Sequence, residues 1–127
     1  ASDGPMTVFG VGSPHPRTYG TFSRVLGSYV RDRKILSLEE AIRKMTSLPA
    51  QILSIDSRGL IQEGYYADIT IFDASTITDK ATFEDPHQYA EGIYSVLVNG
   101  VAVVEQGVHN GNKPGRVLRG PGYVDNR

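Results

Sequence analysis

The protein has 127 residues, of which 13 are Lys or Arg and 14 are Asp or Glu, giving a formal net charge of −1. This length allows one modest hydrophobic core and is too short for an eight-stranded α/β barrel, which needs about 250 residues. The balanced charge excludes the basic footprint of a nucleic-acid-binding domain, and the lack of cysteine excludes disulfides and thiolate metal ligands.

No apolar run approaches the roughly 18 residues that a membrane-spanning helix needs. The first residues also lack the basic and apolar regions of a signal peptide. We therefore expect no membrane segment and a cytoplasmic location, with which the cysteine-free composition agrees. The first residue is Ala1 rather than Met, so we expect a chain that was processed or cut from a longer one.

The first twenty residues are predicted to form a long loop, because four glycines and three prolines fall within them. Long ordered loops are often functional. Asp3, in the Gly-flanked turn Ser2-Asp3-Gly4, could place its own carboxylate at the mouth of a functional site. Arg17 could bind a carboxylate through two parallel hydrogen bonds. The alternatives are that Asp3 only caps a turn, as Asp-Gly commonly does, and that Arg17 is an ordinary surface residue.

Three helices are predicted after this loop. Apolar residues recur at helical spacing over residues 21–33, with Thr21 as the cap. Residues 37–40, with the sequence Ser-Leu-Glu-Glu, form a capping box that begins the second helix. Ser47 as a cap and Pro49 near the first turn predict a third, short helix.

Beyond residue 57 the pattern changes from helical to strand-like. A strand is expected over residues 67–72, followed by an ordered polar loop over residues 73–91. Two β-branched runs then flank Asn99-Gly100. Asn-Gly between such runs predicts a hairpin with a type I′ turn, because that turn needs positive φ at both central positions.

Two parts follow from these patterns, a helical half over residues 1–57 and a β-rich half over residues 58–127. A meander of three or four strands buries only one face, so its other face or its edges need a cover. The helices could supply part of that cover. A neighbouring segment or self-association could supply the rest.

The remaining polar candidates are weaker. The three histidines are far apart and form no His-x-His or i,i+4 pair, so they predict no metal site. His15 could face a substrate cleft. His87 is interpreted as a hydrogen-bonded loop residue and His109 as a turn residue. Asp68 is interpreted as an acceptor for backbone N–H groups in a turn.

Several motifs together carry a resemblance to a known family. Besides Ser2-Asp3-Gly4, they include His15-Pro-Arg-Thr-Tyr-Gly-Thr-Phe22 with the residues to 30, and further matches at residues 38–50, 58–73, 82–89, 98–100 and 114–122. In this order, over nearly the whole chain, they resemble the N-acyl-D-amino-acid deacylases (D-aminoacylases) of the amidohydrolase superfamily.

The resemblance implies an α+β fold, with residues 1–57 forming the helical tail of a (β/α)8 barrel. Residues 58–127 would then form a small antiparallel sheet that is part of the family's β-sandwich domain. It also implies that metal-binding residues lie on upstream barrel strands outside this chain. The missing barrel segment would be the main partner, and neither nucleic acid nor a membrane is expected as one.

The resemblance further implies a zinc enzyme that hydrolyses an N-acyl-D-amino acid to a D-amino acid and a carboxylate. Asp3 matches the residue that takes a proton from the attacking water and passes it to the leaving amine, and it is also a possible metal ligand. Arg17, with His15 nearby, would contact the α-carboxylate of the substrate. The isolated chain, lacking the other ligands, is expected to hold no zinc tightly and to be inactive.

One alternative from a different class remains open: a non-catalytic β-rich module that assembles with a partner. The absence of a complete catalytic set from the sequence motivates it. A small-ligand carrier has less support, because no phosphate-binding glycine loop follows a strand.

Overall fold

The computed structural model describes residues 2–124 and consists of a helical segment followed by an antiparallel sheet. The elements in chain order are α1 (Arg17–Arg24), a π-helix (Val25–Asp32) that continues it, α2 (Leu38–Met45), α3 (Ser47–Ile52), β1 (Ile69–Phe72), β2 (Ile93–Val98), β3 (Val101–Glu105) and β4 (Val108–His109). No helix among these residues is long and apolar enough to cross a lipid bilayer.

The first helix begins four residues earlier than expected. Pro16 stands at its N-terminal boundary with a φ of −51°, which suits a helix start because the proline ring fixes φ near the helical value. The prediction that Thr21 caps this helix is wrong. Thr21 lies inside α1, where its hydroxyl donates to the carbonyl of Arg17 at 2.8 Å.

Helix α2 begins as its capping motif predicts. The Ser37 hydroxyl accepts a hydrogen bond from the Glu40 N–H at 3.2 Å. The Glu40 carboxylate does not complete the box but lies 2.8 Å from Arg43 and 3.4 Å from Lys44. These partners, the Arg43 hydrogen bond first, lower the pKa of Glu40 to about 2.

Helix α3 follows α2 almost directly, and its start differs from the prediction in one residue. Thr46, not Ser47, is the residue before the first turn, and its hydroxyl bonds back to the carbonyl of Ile42 at 2.7 Å. Ser47 is buried in the first turn. Pro49 lies within this first turn, where it loses no helical hydrogen bond.

The four strands form an antiparallel meander in the order β1-β2-β3-β4. Asn99 and Gly100 connect β2 to β3 with φ values of 50° and 79°, which confirms the type I′ hairpin. A second tight turn at Gln106 and Gly107, also with positive φ, adds the unpredicted strand β4. His109 is therefore a strand residue paired with Val104 rather than a residue within the turn.

The connection between β1 and β2 contributes to the core. Ile77 is only 2% exposed and packs in one cluster with Leu26 of the π-helix and Ala41 of α2. The side chain of Arg31 donates to the Ile77 carbonyl at 2.7 Å. Arg24 forms an ion pair of 2.7 Å with Asp79 in the same connection. The main core is thus built from both sides of residue 57.

A polar junction joins the segment after α3 to the sheet. The Arg58 guanidinium forms an ion pair with Asp68, donates to the Asn99 side chain at 2.6 Å, and lies 4.1 Å from the centre of the Tyr66 ring. Asp68 also accepts the Asn99 backbone N–H at 2.8 Å, as the sequence predicts. This junction fixes the β2–β3 turn against the start of β1.

The surface of the protein is large for its mass. Its accessible area is 9044 Å². A compact monomer of 13.8 kDa is expected to expose only about 6,600 Å². Large apolar side chains contribute to the difference, among them Ile61 at 89% and Phe83 at 71% exposure. The chain therefore presents much more surface than a compact domain of this size, and large apolar side chains are part of it.

Candidate functional site

Asp3 and Arg17, the two leading candidates from the sequence, lie together at the surface. A guanidinium nitrogen of Arg17 is 3.2 Å from the Asp3 oxygen Oδ2. The two side chains are 43% and 89% exposed, respectively. An ion pair this exposed contributes at most about 1 kcal/mol, so a ligand can displace it at little cost. The pair offers an accessible carboxylate and an accessible guanidinium side by side.

The backbone explains how Asp3 comes to lie beside α1. Asp3 has a φ of 51°, a left-handed conformation that Asp adopts more readily than most residues. The following Gly4 approaches α1 so closely that a Cβ there would lie 2.9 Å from the Cα of Thr18. Gly4 therefore has a steric reason to be glycine, and the contact places Asp3 next to Arg17 at the first residue of α1.

His15 lies next to this pair but already has structural contacts. Its Nδ1 accepts the backbone N–H of Arg17 at 3.0 Å, at the start of α1. Its ring packs edge-on against Phe83, with ring centres 4.9 Å apart. Nε2 is then the ring nitrogen suited to meet a ligand. A substrate role for His15 stays a prediction, as do the roles of Asp3 and Arg17.

His87 is the residue whose position the sequence indicated least. It was expected to be a hydrogen-bonded loop residue, and this is confirmed: Nδ1 accepts the Gly10 N–H at 3.1 Å and Nε2 bonds to the Gly12 carbonyl at 2.9 Å. Its partners, however, lie more than 70 residues away, in the loop between Asp3 and Arg17. No local pattern in the sequence around His87 indicates these distant partners.

Metal binding needs several donor side chains close together. Within residues 2–124 no three His, Cys, Asp or Glu residues come close enough to hold a metal ion. Zinc in proteins takes at least three protein ligands. The exposed carboxylate of Asp3 has the right chemistry for one ligand of a larger set, whose other members would come from outside the described residues.

A groove between two of the elements lies away from this pair. It has a volume of about 700 Å³ and separates α2 from β1. Its walls are mainly apolar, with Leu38, Ile42, Ile69 and Phe72 among them, and neither Asp3 nor Arg17 lines it. We interpret it as a packing surface rather than as the chemical site.

Known proteins resemble this chain strongly. A model described as the amidohydrolase family matches residues 1–104. An N-acyl-D-glutamate deacylase of Alcaligenes xylosoxydans xylosoxydans is 48% identical over 106 residues, which are 84% of this chain and 22% of that protein. The chain thus spans about a fifth of the length of this curated relative.

Solved structures agree with the sequence comparison. A crystal structure of D-aminoacylase, said to define a novel subset of amidohydrolases, has a TM-score of 0.82 at 52% identity and covers 84% of this chain and 22% of its own. An N-acyl-D-glutamate deacylase from Bordetella bronchiseptica, complexed with zinc and a phosphonate mimic of the tetrahedral intermediate, has a TM-score of 0.71 at 46% identity, covering 72% and 19%. With the family model matching most of its length, the chain belongs to the amidohydrolase family.

Proposed function

We propose that this chain forms part of a metal-dependent N-acyl-D-amino-acid deacylase. The whole enzyme would hydrolyse the amide bond of an N-acyl-D-amino acid to a D-amino acid and a carboxylate. The observation that carries the proposal is the juxtaposition of Asp3 and Arg17, 3.2 Å apart on an exposed loop. Relatives that are about half identical to the chain are described as deacylases of this kind.

Each half of the chain would belong to a different domain of the whole enzyme. Residues 1–57 would close a (β/α)8 barrel, and residues 58–127 would contribute the meander to a small β-sandwich domain. The large accessible area and the exposed apolar side chains support this, because both would be covered by the rest of the enzyme. The barrel segment is accordingly the partner that we propose for this surface.

In the whole enzyme, Asp3 and Arg17 would have different roles in catalysis and substrate binding. Zinc, when bound, lowers the pKa of its water and makes hydroxide available at neutral pH. The Asp3 carboxylate would accept the proton of the attacking water and return it to the leaving amine as a general base and then a general acid. Arg17 would bind the α-carboxylate of the substrate through two parallel hydrogen bonds, which fixes the amide relative to Asp3.

Mutagenesis in a longer enzyme that contains this sequence tests the two roles. Asp3→Asn should lower kcat by about 10²- to 10⁴-fold with little change in KM, the loss typical of a missing general acid–base. Arg17→Ala should instead raise KM by roughly 10- to 100-fold, because charged hydrogen bonds to the substrate are lost. Asp56→Asn and Arg116→Ala, which alter exposed residues of the same types, serve as matched controls.

Two results would contradict the proposal. One is an Asp3→Asn enzyme with unchanged kcat. The other is an Arg17→Ala enzyme whose KM for N-acyl-D-amino acids equals that of the parent. The 127-residue chain alone should show no zinc-dependent deacylation, because no three His, Cys, Asp or Glu side chains of the described residues come together to hold a metal ion.

A second candidate function is a non-catalytic module that assembles with a partner. The apolar groove between α2 and β1 favours it, since such a surface suits protein contact as well as burial within an enzyme. The reading frame that encodes this sequence distinguishes the enzyme from the non-catalytic module. An upstream reading frame with His-x-His on a predicted strand supports the enzyme, and a frame that begins at this N-terminus supports the module.

A further inference from the structure

Three aromatic residues of the segment 83–89 contact the loop that joins Asp3 to Arg17. Phe83 packs against His15 with ring centres 4.9 Å apart. Tyr89 stacks on Phe9 with ring centres 4.8 Å apart and an interplanar angle of 19°. His87 contacts the middle of the loop. The segment therefore contacts the middle of the loop, at Phe9 and the two glycines, and its C-terminal end, at His15.

The hydrogen bonds of His87 determine its proton arrangement. The Gly10 N–H is a donor, so Nδ1, 3.1 Å away, must be the unprotonated nitrogen. The Gly12 carbonyl is an acceptor, so Nε2, 2.9 Å away, must carry the proton. The Tyr19 hydroxyl lies 3.0 Å from Nδ1 on the side of α1. The ring is thus neutral, in the Nε2–H form.

The loop has little other packing where His87 binds it. Gly10 and Gly12 have φ values of 79° and 72°, and no atom lies within 4 Å of the position where a Cβ would stand at either residue. Nearby Met6 and Val11 are exposed at 102% and 63%. The bond that the imidazole accepts from Gly10 and the bond that it makes to the Gly12 carbonyl, together with the packing of Phe9, therefore fix this backbone.

The turn that carries His87 is stabilised by hydrogen bonds of its own. The Gln88 amide donates to the carbonyls of Lys80 and Asp85 at 2.9 and 3.0 Å. The Thr82 N–H donates to the Asp85 carbonyl at 3.0 Å, and the Asp85 N–H donates to the Thr82 hydroxyl at 3.0 Å. The side chain of His87 consequently projects from a hydrogen-bonded turn towards the two glycines of the loop, next to the stacked pair of Phe9 and Tyr89.

We propose that His87, in its neutral Nε2–H form, is a positioning residue that fixes the loop between Asp3 and Arg17 and thereby their mutual geometry. The consequence for catalysis rests on the function proposed above. The positioning itself does not, and it can be measured on this chain alone. Removing the two hydrogen bonds should loosen the loop and move both Asp3 and Arg17.

The first experiment uses ¹⁵N NMR of the 127-residue chain. Wild-type His87 should show a pyrrole-type Nε2 and a pyridine-type Nδ1. His87→Phe keeps a ring against Phe9 and Tyr19 but removes the hydrogen bonds to Gly10, Gly12 and the Tyr19 hydroxyl. It should speed amide exchange at Gly10 about five- to tenfold, as expected for one lost hydrogen bond. The amide shifts of Asp3 and Arg17 should move with it, while the urea midpoint stays that of the wild type.

Two further variants separate the hydrogen bonds from general packing. His87→Asn places an amide oxygen near the position of Nδ1 and should restore Gly10 exchange to within about twofold of wild type. His109→Phe, which removes a histidine whose Nδ1 accepts the N–H of the nearby Gly111, should leave Gly10 unchanged. A protonated Nδ1 in the wild-type ring, or unchanged Gly10 exchange in His87→Phe, would overturn the proposal.

The second experiment uses the zinc-loaded longer enzyme. His87→Phe should raise KM about tenfold and lower kcat, and His87→Asn should recover most of the loss. If Asp3 and Arg17 variants are impaired but His87→Phe is not, His87 does not position them. If the Asp3 and Arg17 variants retain full activity, the proposed function fails, and the NMR result alone then decides whether His87 fixes the loop.

Discussion

Replacing Gly27 with Ala tests how tightly the helical half packs on the connection between the strands. A Cβ at Gly27 would lie 2.5 Å from the Ile77 carbonyl oxygen, whereas real Cβ atoms essentially never approach another atom within 3.0 Å. The obstructing atom belongs to the backbone and cannot rotate away. The connection must therefore move, and the Arg31 hydrogen bond to the same oxygen, 2.7 Å long, is strained or lost.

The expected loss of stability combines three effects. Overpacking costs about 1–3 kcal/mol. Loss of a hydrogen bond from a charged donor costs about 1.5–3 kcal/mol. Ala gains about 1 kcal/mol over Gly from helix propensity. The net loss is roughly 3 kcal/mol, which in a chain of this size corresponds to a fall in Tm of about 12 °C.

Urea and thermal unfolding followed by circular dichroism measure the effect. Gly115→Ala is the matched control, because nothing lies within 4 Å of its Cβ position and its φ is not in the left-handed region. The control should unfold within about 0.5 kcal/mol of the wild type. A Gly27→Ala protein as stable as this control would refute the close packing of the π-helix on Ile77.

Three other predictions concern polar and turn residues. Arg58→Met should destabilise the chain by about 2 kcal/mol in urea unfolding, because Asp68 and Asn99 lose their shared donor; an unchanged midpoint would show the junction to be dispensable. Gln106→Asn should stabilise by about 0.5 kcal/mol, since Gln106 has a φ of 50° that Asn tolerates better, and a lower midpoint would contradict this. The pKa of Glu40 is about 2 in the folded protein against an ordinary 4.5, so its contribution to the free energy of unfolding is present above pH 4.5 and is lost as the pH falls towards 2. Glu40→Gln should remove that part of the pH dependence of stability. Identical stability–pH profiles for the variant and the wild type would contradict this prediction.

Sequence patterns predicted those parts of the fold that depend on neighbouring residues. Asn99-Gly100 specifies its turn through the φ values that its own two residues accept, and Ser37 caps α2 through a bond three residues away. The start of α1 was misplaced because Thr21 and Pro16 both suit a helix terminus, and the proline was interpreted as part of the loop.

Contacts between distant segments could not be predicted in the same way. Nothing local to Ile77 distinguishes it from an apolar residue exposed in a polar loop, yet it is 2% exposed in the core. Likewise, His87 bonds to Gly10 across 77 positions. For the site, the sequence singles out Asp3 and Arg17 as candidates, and the structure brings their side chains together. Their separation of 3.2 Å follows from the path of a loop whose course depends on these distant contacts.

The shared core has a consequence for exchanging parts between related enzymes. Gly27 and Ala41 come from one side of residue 57, and Ile77, which packs against them, comes from the other. A chimera that joins residues 1–57 of one relative to the remainder of another therefore inherits a contact in which position 27 has no room for a methyl group. Such grafts should tolerate a junction at residue 57 only when the donor helix also keeps its small residues opposite the incoming Ile77.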